Sequence, residues 1–259
     1  MAEVFWTLPP VSRTITAAAV AVSALGYSGI IDLEKYLWYT PYVFTLKILP
    51  PQVWRLVSAF LVTGPRIGII MDPYFLYMYG SGLETESSRF PQPGDFFVYT
   101  VFVGALIVAL AGCVLNAYSF LTPLSLAFAH TYAQDNPNRK VSFFIITFDA
   151  KYLPWAMLLM TFVMEGPTRT MQQGCGLLAA HCYDFLTRIW PAFGGGKNYI
   201  VTPQIVKAWF GANAGTEQRR SYGTARQGRP QEEPADARST GRSTGFGGQG
   251  FGPGRRLGE

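Results

Sequence analysis

The sequence predicts an all-α membrane protein, six helices in a bundle followed by a disordered C-terminal tail, and three observations carry that expectation. Only 14% of the 259 residues are charged while 49% are hydrophobic, whereas soluble domains carry about a quarter charged residues. The charges are also unevenly placed, because the first 206 residues hold 23 of the 37, a density that suits a chain solvated by lipid. The last 53 residues hold 12 of the 27 glycines. Residues 1–206 therefore read as a transmembrane domain and residues 207–259 as a flexible cytosolic tail.

A spanning helix takes about 20 mostly apolar residues, and about 17 can suffice. Residues 14–31 offer such a stretch behind Arg13. Ala17, Ala18 and Ala19 stand early in that run rather than after it, which favours an uncleaved anchor over a removed signal peptide. Residues 56–83 form the second span, interrupted at Gly64-Pro65-Arg66 and at Asp72-Pro73. Breaks of this kind survive at membrane depth where other helices or trapped water satisfy the backbone.

Residues 96–133 contain no Asp, Glu, Lys or Arg and give the third and fourth spans, reversing around Asn116. The fifth is centred on residues 152–164, behind a β-prone piece at 141–148 expected at the interface. The sixth covers 168–189 and carries Gln172, Gln173, His181 and Asp184, which are expected to face the bundle interior or a wet cavity. Within it, Gly176 and Ala180 stand four apart, a small-xxx-small pairing that lets two helices approach closely.

An even number of spans puts both termini on one side, and the basic residues choose the side. Arg13, Arg89, Arg139, Lys140, Lys151, Arg188, Lys197 and Lys207 fall with the termini, against Lys35, Lys47, Arg55, Arg66 and Arg169 opposite. Both termini are thus expected in the cytosol. Residues 32–55 lie on the other face and gather Tyr36, Trp38, Tyr39, Tyr42, Phe44 and Trp54 among prolines, a composition that suits the headgroup layer.

The formal charge of +5 comes mostly from the tail, which lacks regular Arg-Gly repeats, so no nucleic-acid partner is expected. Three cysteines make no disulfide framework. Cys175, His181, Cys182 and Asp184 point to different faces of one helix without a second ligand pair, so neither a metal nor a cofactor is expected. A phosphate-binding glycine loop is also missing, so any energy from ATP must come from a partner.

Several short stretches, in order, resemble the Derlin family of rhomboid-fold proteins. They are Pro9-Pro10-Val11-Ser12-Arg13, Trp54-Arg55, Tyr74-Phe75-Leu76-Tyr77 with Leu83-Glu84, Tyr132-Ala133-Gln134, Tyr152-Leu153-Pro154-Trp155, the His181 segment and Thr202-Pro203. The resemblance implies a rhomboid-like bundle of the endoplasmic reticulum membrane that lacks protease activity and assists retrotranslocation of misfolded proteins for degradation. It implies a membrane- or substrate-engaging role for Trp54 and Arg55, with the indole anchored at the interface and the guanidinium drawing phosphate and water inward. Family members usually carry Gly at both small positions of the sixth span, so Ala180 departs from the pattern.

The chain's last residues, Phe251, Gly252, Pro253, Gly254, Arg255, Arg256, Leu257 and Gly258, resemble the SHP box through which many Derlins bind the AAA+ ATPase valosin-containing protein. Glycines let an extended strand lie along a sheet edge, and Phe251 and Leu257 supply two apolar anchors. The resemblance further implies membrane lipids, misfolded proteins and a membrane ubiquitin-ligase complex as partners, and leaves homo-oligomerisation open. The competing enzyme reading is a rhomboid-type intramembrane serine protease using Ser125 and His181. The fourth span reads Leu121-Thr122-Pro123-Leu124-Ser125-Leu126-Ala127, without the glycines that flank a rhomboid serine.

Overall fold

Pro9 and Pro10 open the first helix, α1 (Pro10–Tyr27), with proline in its first turn where a missing N–H costs nothing. The helix has no side-chain cap of its own; Glu84, far along the chain, supplies one. Its carboxylate accepts bonds from the backbone N–H groups of Val11 and Ser12, both at 2.9 Å, and from the Ser12 hydroxyl at 2.7 Å. This cap shifts the helix start four residues ahead of the expected span, and Gly29, with φ of 78°, turns the chain just after Tyr27.

The computed structural model describes residues 6, 8–44, 52–92, 94–143, 146–193 and 200–211. All lie in one unit, Met1–Glu217. After a 3₁₀ turn at Leu33–Lys35 come two short helices, α2 (Thr40–Phe44) and α3 (Arg55–Ser58). Then follow α4 (Gly68–Glu86), α5 (Asp95–Ile107), which widens into π turns at Val108–Val114, and α6 (Leu121–Asp135). Asn116, with φ of 48°, stands where the reversal between α5 and α6 was expected.

The β-prone piece forms an antiparallel pair, β1 (Lys140–Phe143) and β2 (Ile146–Asp149), with Lys140 opposite Asp149. Their side chains form a 2.7 Å ion pair, and the Lys140 ammonium holds the half-buried Asp149 carboxyl below its ordinary pKa. Next are α7 (Leu153–Glu165) and α8 (Pro167–Asp184), joined by Gly166 alone, whose φ of 87° favours glycine. Beyond α8 the chain passes through π turns at Phe185–Ile189 into α9 (Trp190–Phe193). Later, α10 (Gln204–Trp209) straddles residues 206 and 207.

Central to the core is α6, buried on nearly every side by α4, α5, α7 and α8. Leu121, Leu124, Leu126, Ala127, Phe128 and Ala129 are all almost inaccessible. By length and apolarity alone, one helix among the described residues can cross a membrane, Asp95–Val114. That criterion does not establish the six expected spans. Proline and acidic residues in α4, the shortness of α6 and α7, and the glutamines of α8 keep those helices below it.

Candidate functional site

Helices α4 and α7 both pack on α6 yet scarcely touch each other, and α7 is buried only at Leu153, Pro154 and Met157, near its start. A cavity of about 300 Å³ fills the gap between them. Its walls are Met71 and Phe75 of α4, Met157, Met160 and Met164 of α7, and Phe143 at the end of β1. Phe143 stacks on Phe75 with centroids 5.1 Å apart. Unbranched, polarisable methionines adapt to surfaces of varied shape, so the walls suit an apolar partner of no fixed outline.

The deep side of the cavity is polar. Thr122 and Ser125 reach it from α6 and Gln173 from α8. Ser125 Oγ donates to the Thr122 carbonyl at 2.8 Å. Gln173 is 2% exposed, and its Oε1 has no hydrogen-bond partner among the described residues. At one edge Asp72 Oδ2 accepts the Gly64 N–H at 2.8 Å and the Thr122 hydroxyl at 3.4 Å. A Cβ on residue 64 would stand 3.2 Å from that oxygen, so glycine permits the close approach. Glu165 and Arg169, 3.9 Å apart, complete the rim.

Trp54 and Arg55 are neighbours with opposite fates. The Trp54 indole is 48% exposed and donates to the Lys35 carbonyl at 3.2 Å. Arg55 is 5% exposed, and its guanidinium donates to the Gln52 side chain at 2.6 Å, to the Glu34 carbonyl at 2.7 Å and to the Leu37 carbonyl. These bonds pin residues 34–37 against α3. The outward part of the pair is Trp54.

Gly176 meets α6 directly: a Cβ there would lie 1.8 Å from the Pro123 carbonyl oxygen. Ala180, one turn on, is fully buried. A further cluster was not legible beforehand. Arg89, between α4 and α5, bridges the carboxylates of Asp135 at the end of α6 and Asp184 at the end of α8, and also donates to Gln134 at 3.0 Å. The three side chains are 7–11% exposed. Burial works against the Arg89 charge, but Asp184 and Asp135 outweigh it and hold its pKa above the ordinary arginine value.

The two members of the enzyme reading are apart. Ser125 lines the α4–α7 cavity, whereas His181 lines a different one with His130 and Trp155. His181 packs against His130 with ring centroids 4.4 Å apart, and Asp184 is held by Arg89. Among the described residues no three His, Cys, Asp or Glu side chains gather to hold a metal. Phe251 through Gly258, the stretch that resembles an SHP box, lie outside the described residues.

Residues 8–204 match the model of the Der1-like family. The chain is 31% identical over 261 residues to Derlin-1 of Homo sapiens, covering 98% of this chain and 97% of that one. Similarity extends to Derlin-1.2 of Zea mays, 28% identical over 209 residues with 79% and 82% covered. It reaches Derlin-1 of Drosophila melanogaster, 28% identical over 207 residues with 78% and 80% covered.

Proposed function

The chain belongs to the Der1-like family, and from that premise we propose that it is a non-enzymatic component of endoplasmic-reticulum-associated degradation, assisting misfolded proteins across or out of the membrane. On this reading six helices, α1, α4, α5, α6, α7 and α8, span the endoplasmic reticulum membrane in a rhomboid-like bundle with both termini cytosolic. The supporting observation is the opening between α4 and α7. It offers a methionine-walled groove at the side of the bundle with hydrogen-bonding groups behind it. A polar residue in a client's membrane segment is costly in hydrocarbon, and such a groove gives it somewhere to go.

Trp54 would anchor the loop after α1 at the opposite leaflet surface, with Arg55 keeping that loop in shape. The tail would recruit valosin-containing protein through Phe251, Gly252, Gly254, Arg255, Arg256, Leu257 and Gly258, and a membrane ubiquitin ligase would complete the assembly. A tether of about 40 residues with the glycine-rich composition of the tail would have a root-mean-square reach of roughly 35 Å, enough to hold the motor beside the bundle.

The groove is tested by a photo-crosslinking amino acid at Met160, with Val101 on α5, which is exposed away from the cavity, as the control. A misfolded membrane protein should crosslink at residue 160 at least severalfold more than at 101; equal capture at both removes the groove from the mechanism. The tail is tested separately with the detergent-solubilised chain. Phe251→Ala combined with Leu257→Ala should abolish capture of valosin-containing protein, and undiminished capture would move recruitment to another surface.

A further inference from the structure

Within the α4–α7 groove, one atom lacks what every other deep polar group has. The Ser125 hydroxyl is satisfied by its own turn and the Thr122 hydroxyl by Asp72. Gln172, the neighbour of Gln173, is satisfied by the Leu115 carbonyl at 3.2 Å. Gln173 Oε1 alone among these is buried and unpartnered. A buried amide without a partner costs free energy, so a native one calls for an explanation in terms of an occupant.

We propose that Gln173 is the recognition residue of this groove and that its occupant is an apolar helical segment carrying a carboxamide side chain, Asn or Gln. The inference rests on the groove reading above and adds its selectivity. A carboxamide presents a donor and an acceptor side by side, so it pairs with Gln173 through two parallel bonds whichever way the glutamine amide is turned. A hydroxyl could make only one of them.

The surroundings fit that partner better than a free solute. Met71, Met157, Met160 and Met164 offer flexible apolar contact to the flanking turns of a helix, and Phe75 and Phe143 close the side towards the hairpin. Asp72 and Glu165 stand at the edge, where a cation would be the alternative guest. Asp72 Oδ2 already has two donors, however, and Arg169 sits beside Glu165, so both carboxylates have partners within the chain. The unmet demand in the groove is for an amide.

The test uses the full chain reconstituted in dioleoylphosphatidylcholine vesicles with three 23-residue Leu/Ala peptides. Each carries a photoreactive leucine beside a central Asn, Lys or Leu. The Asn peptide should crosslink to Met160 or Met164 about fivefold more than the Leu peptide, in keeping with the modest strength of interhelical hydrogen bonds in lipid. Gln173→Leu should bring the Asn peptide down to the Leu value. That variant removes an unpaired polar atom, so its melting temperature should equal or exceed the wild type, which separates lost recognition from lost fold.

Equal yields from Asn and Leu peptides in the wild type, both at the groove, would overturn the carboxamide assignment while leaving the groove reading intact. An Asn preference that survives Gln173→Leu would overturn it too. So would a Lys peptide that exceeds the Asn peptide and loses its advantage with Asp72→Asn. Absence of any crosslink at Met160 or Met164 would overturn both the inference and the reading beneath it.

Discussion

Replacing Arg89 by leucine should lower the thermal midpoint of the solubilised protein by about 10 °C, the largest loss expected from any single side chain described above. The guanidinium joins the ends of α6 and α8 to the segment after α4, and removing it leaves two largely buried carboxylates facing each other. Breaking a buried pair from one side typically costs about 3–5 kcal/mol, because the remaining charge has no partner. For a chain of this size each kcal/mol moves the midpoint by about 2–4 °C.

Two companion variants give that expectation its content. Arg89→Lys keeps the charge but not the planar fork, so one carboxylate loses its partner and roughly half the loss should remain. Adding Asp184→Leu to Arg89→Leu should recover part of the midpoint, since Asp135 also accepts a bond from the Ser87 hydroxyl. A midpoint unmoved by Arg89→Leu would show that the cluster is solvated and contributes nothing to the fold.

The second large effect is expected from the smallest change, Gly176→Ala. Helix propensity alone would favour alanine by about 1 kcal/mol. The added methyl, however, would sit 1.8 Å from the Pro123 carbonyl oxygen, and that oxygen belongs to backbone that no rotamer change can move. Helices α6 and α8 must therefore separate, and overpacking of this kind costs about 1–3 kcal/mol or more. The net loss should lower the midpoint by about 5 °C, and Gly176→Val by more. Ala180→Gly, at a fully buried position with no such collision, should cost only about 1 kcal/mol. If Gly176→Ala raised the midpoint, propensity would have won and the close approach would carry no weight.

Gly176 shows what the sequence could reveal of this molecule. A small residue in a polar helix marks a close contact, and the reversal at Asn116 and the β-prone character of residues 141–148 were legible from uncharged length and β-propensity, though not the pairing of that piece into two antiparallel strands. What a small residue touches is not written next to it, so Pro123 could not be named beforehand. Arg89 was visible only as one of several basic residues on the terminal side. Its partners lie 46 and 95 positions away, and a cation in a loop looks the same whether it is solvated or clamped.

The groove was hidden for a related reason. Asp72 stood out only as an interruption beside Pro73, and Gln173 was expected to face the interior or a wet cavity without any sign of which helices would wall it. Their meeting depends on α4 and α8 flanking α6, a matter of packing that periodicity does not encode. Trp54-Arg55 shows the limit from the opposite side. The pair is contiguous in sequence, which invites a joint role, yet the backbone turn at α3 sends one side chain outward and the other inward.

The carboxylate that caps α1 also sets an order of events during synthesis. Val11 and Ser12 leave the ribosome 72 or more residues before Glu84, an interval of about 4–15 s at ordinary elongation rates. Throughout that interval the leading turn of α1 has only water or lipid headgroups for its backbone donors. The helix becomes complete at its first end when α4 arrives antiparallel beside it, so α1, although made before α4, is finished only with it. A ribosome stalled before residue 84 would hold an α1 whose start still exchanges its amide protons, and one stalled well beyond it would not.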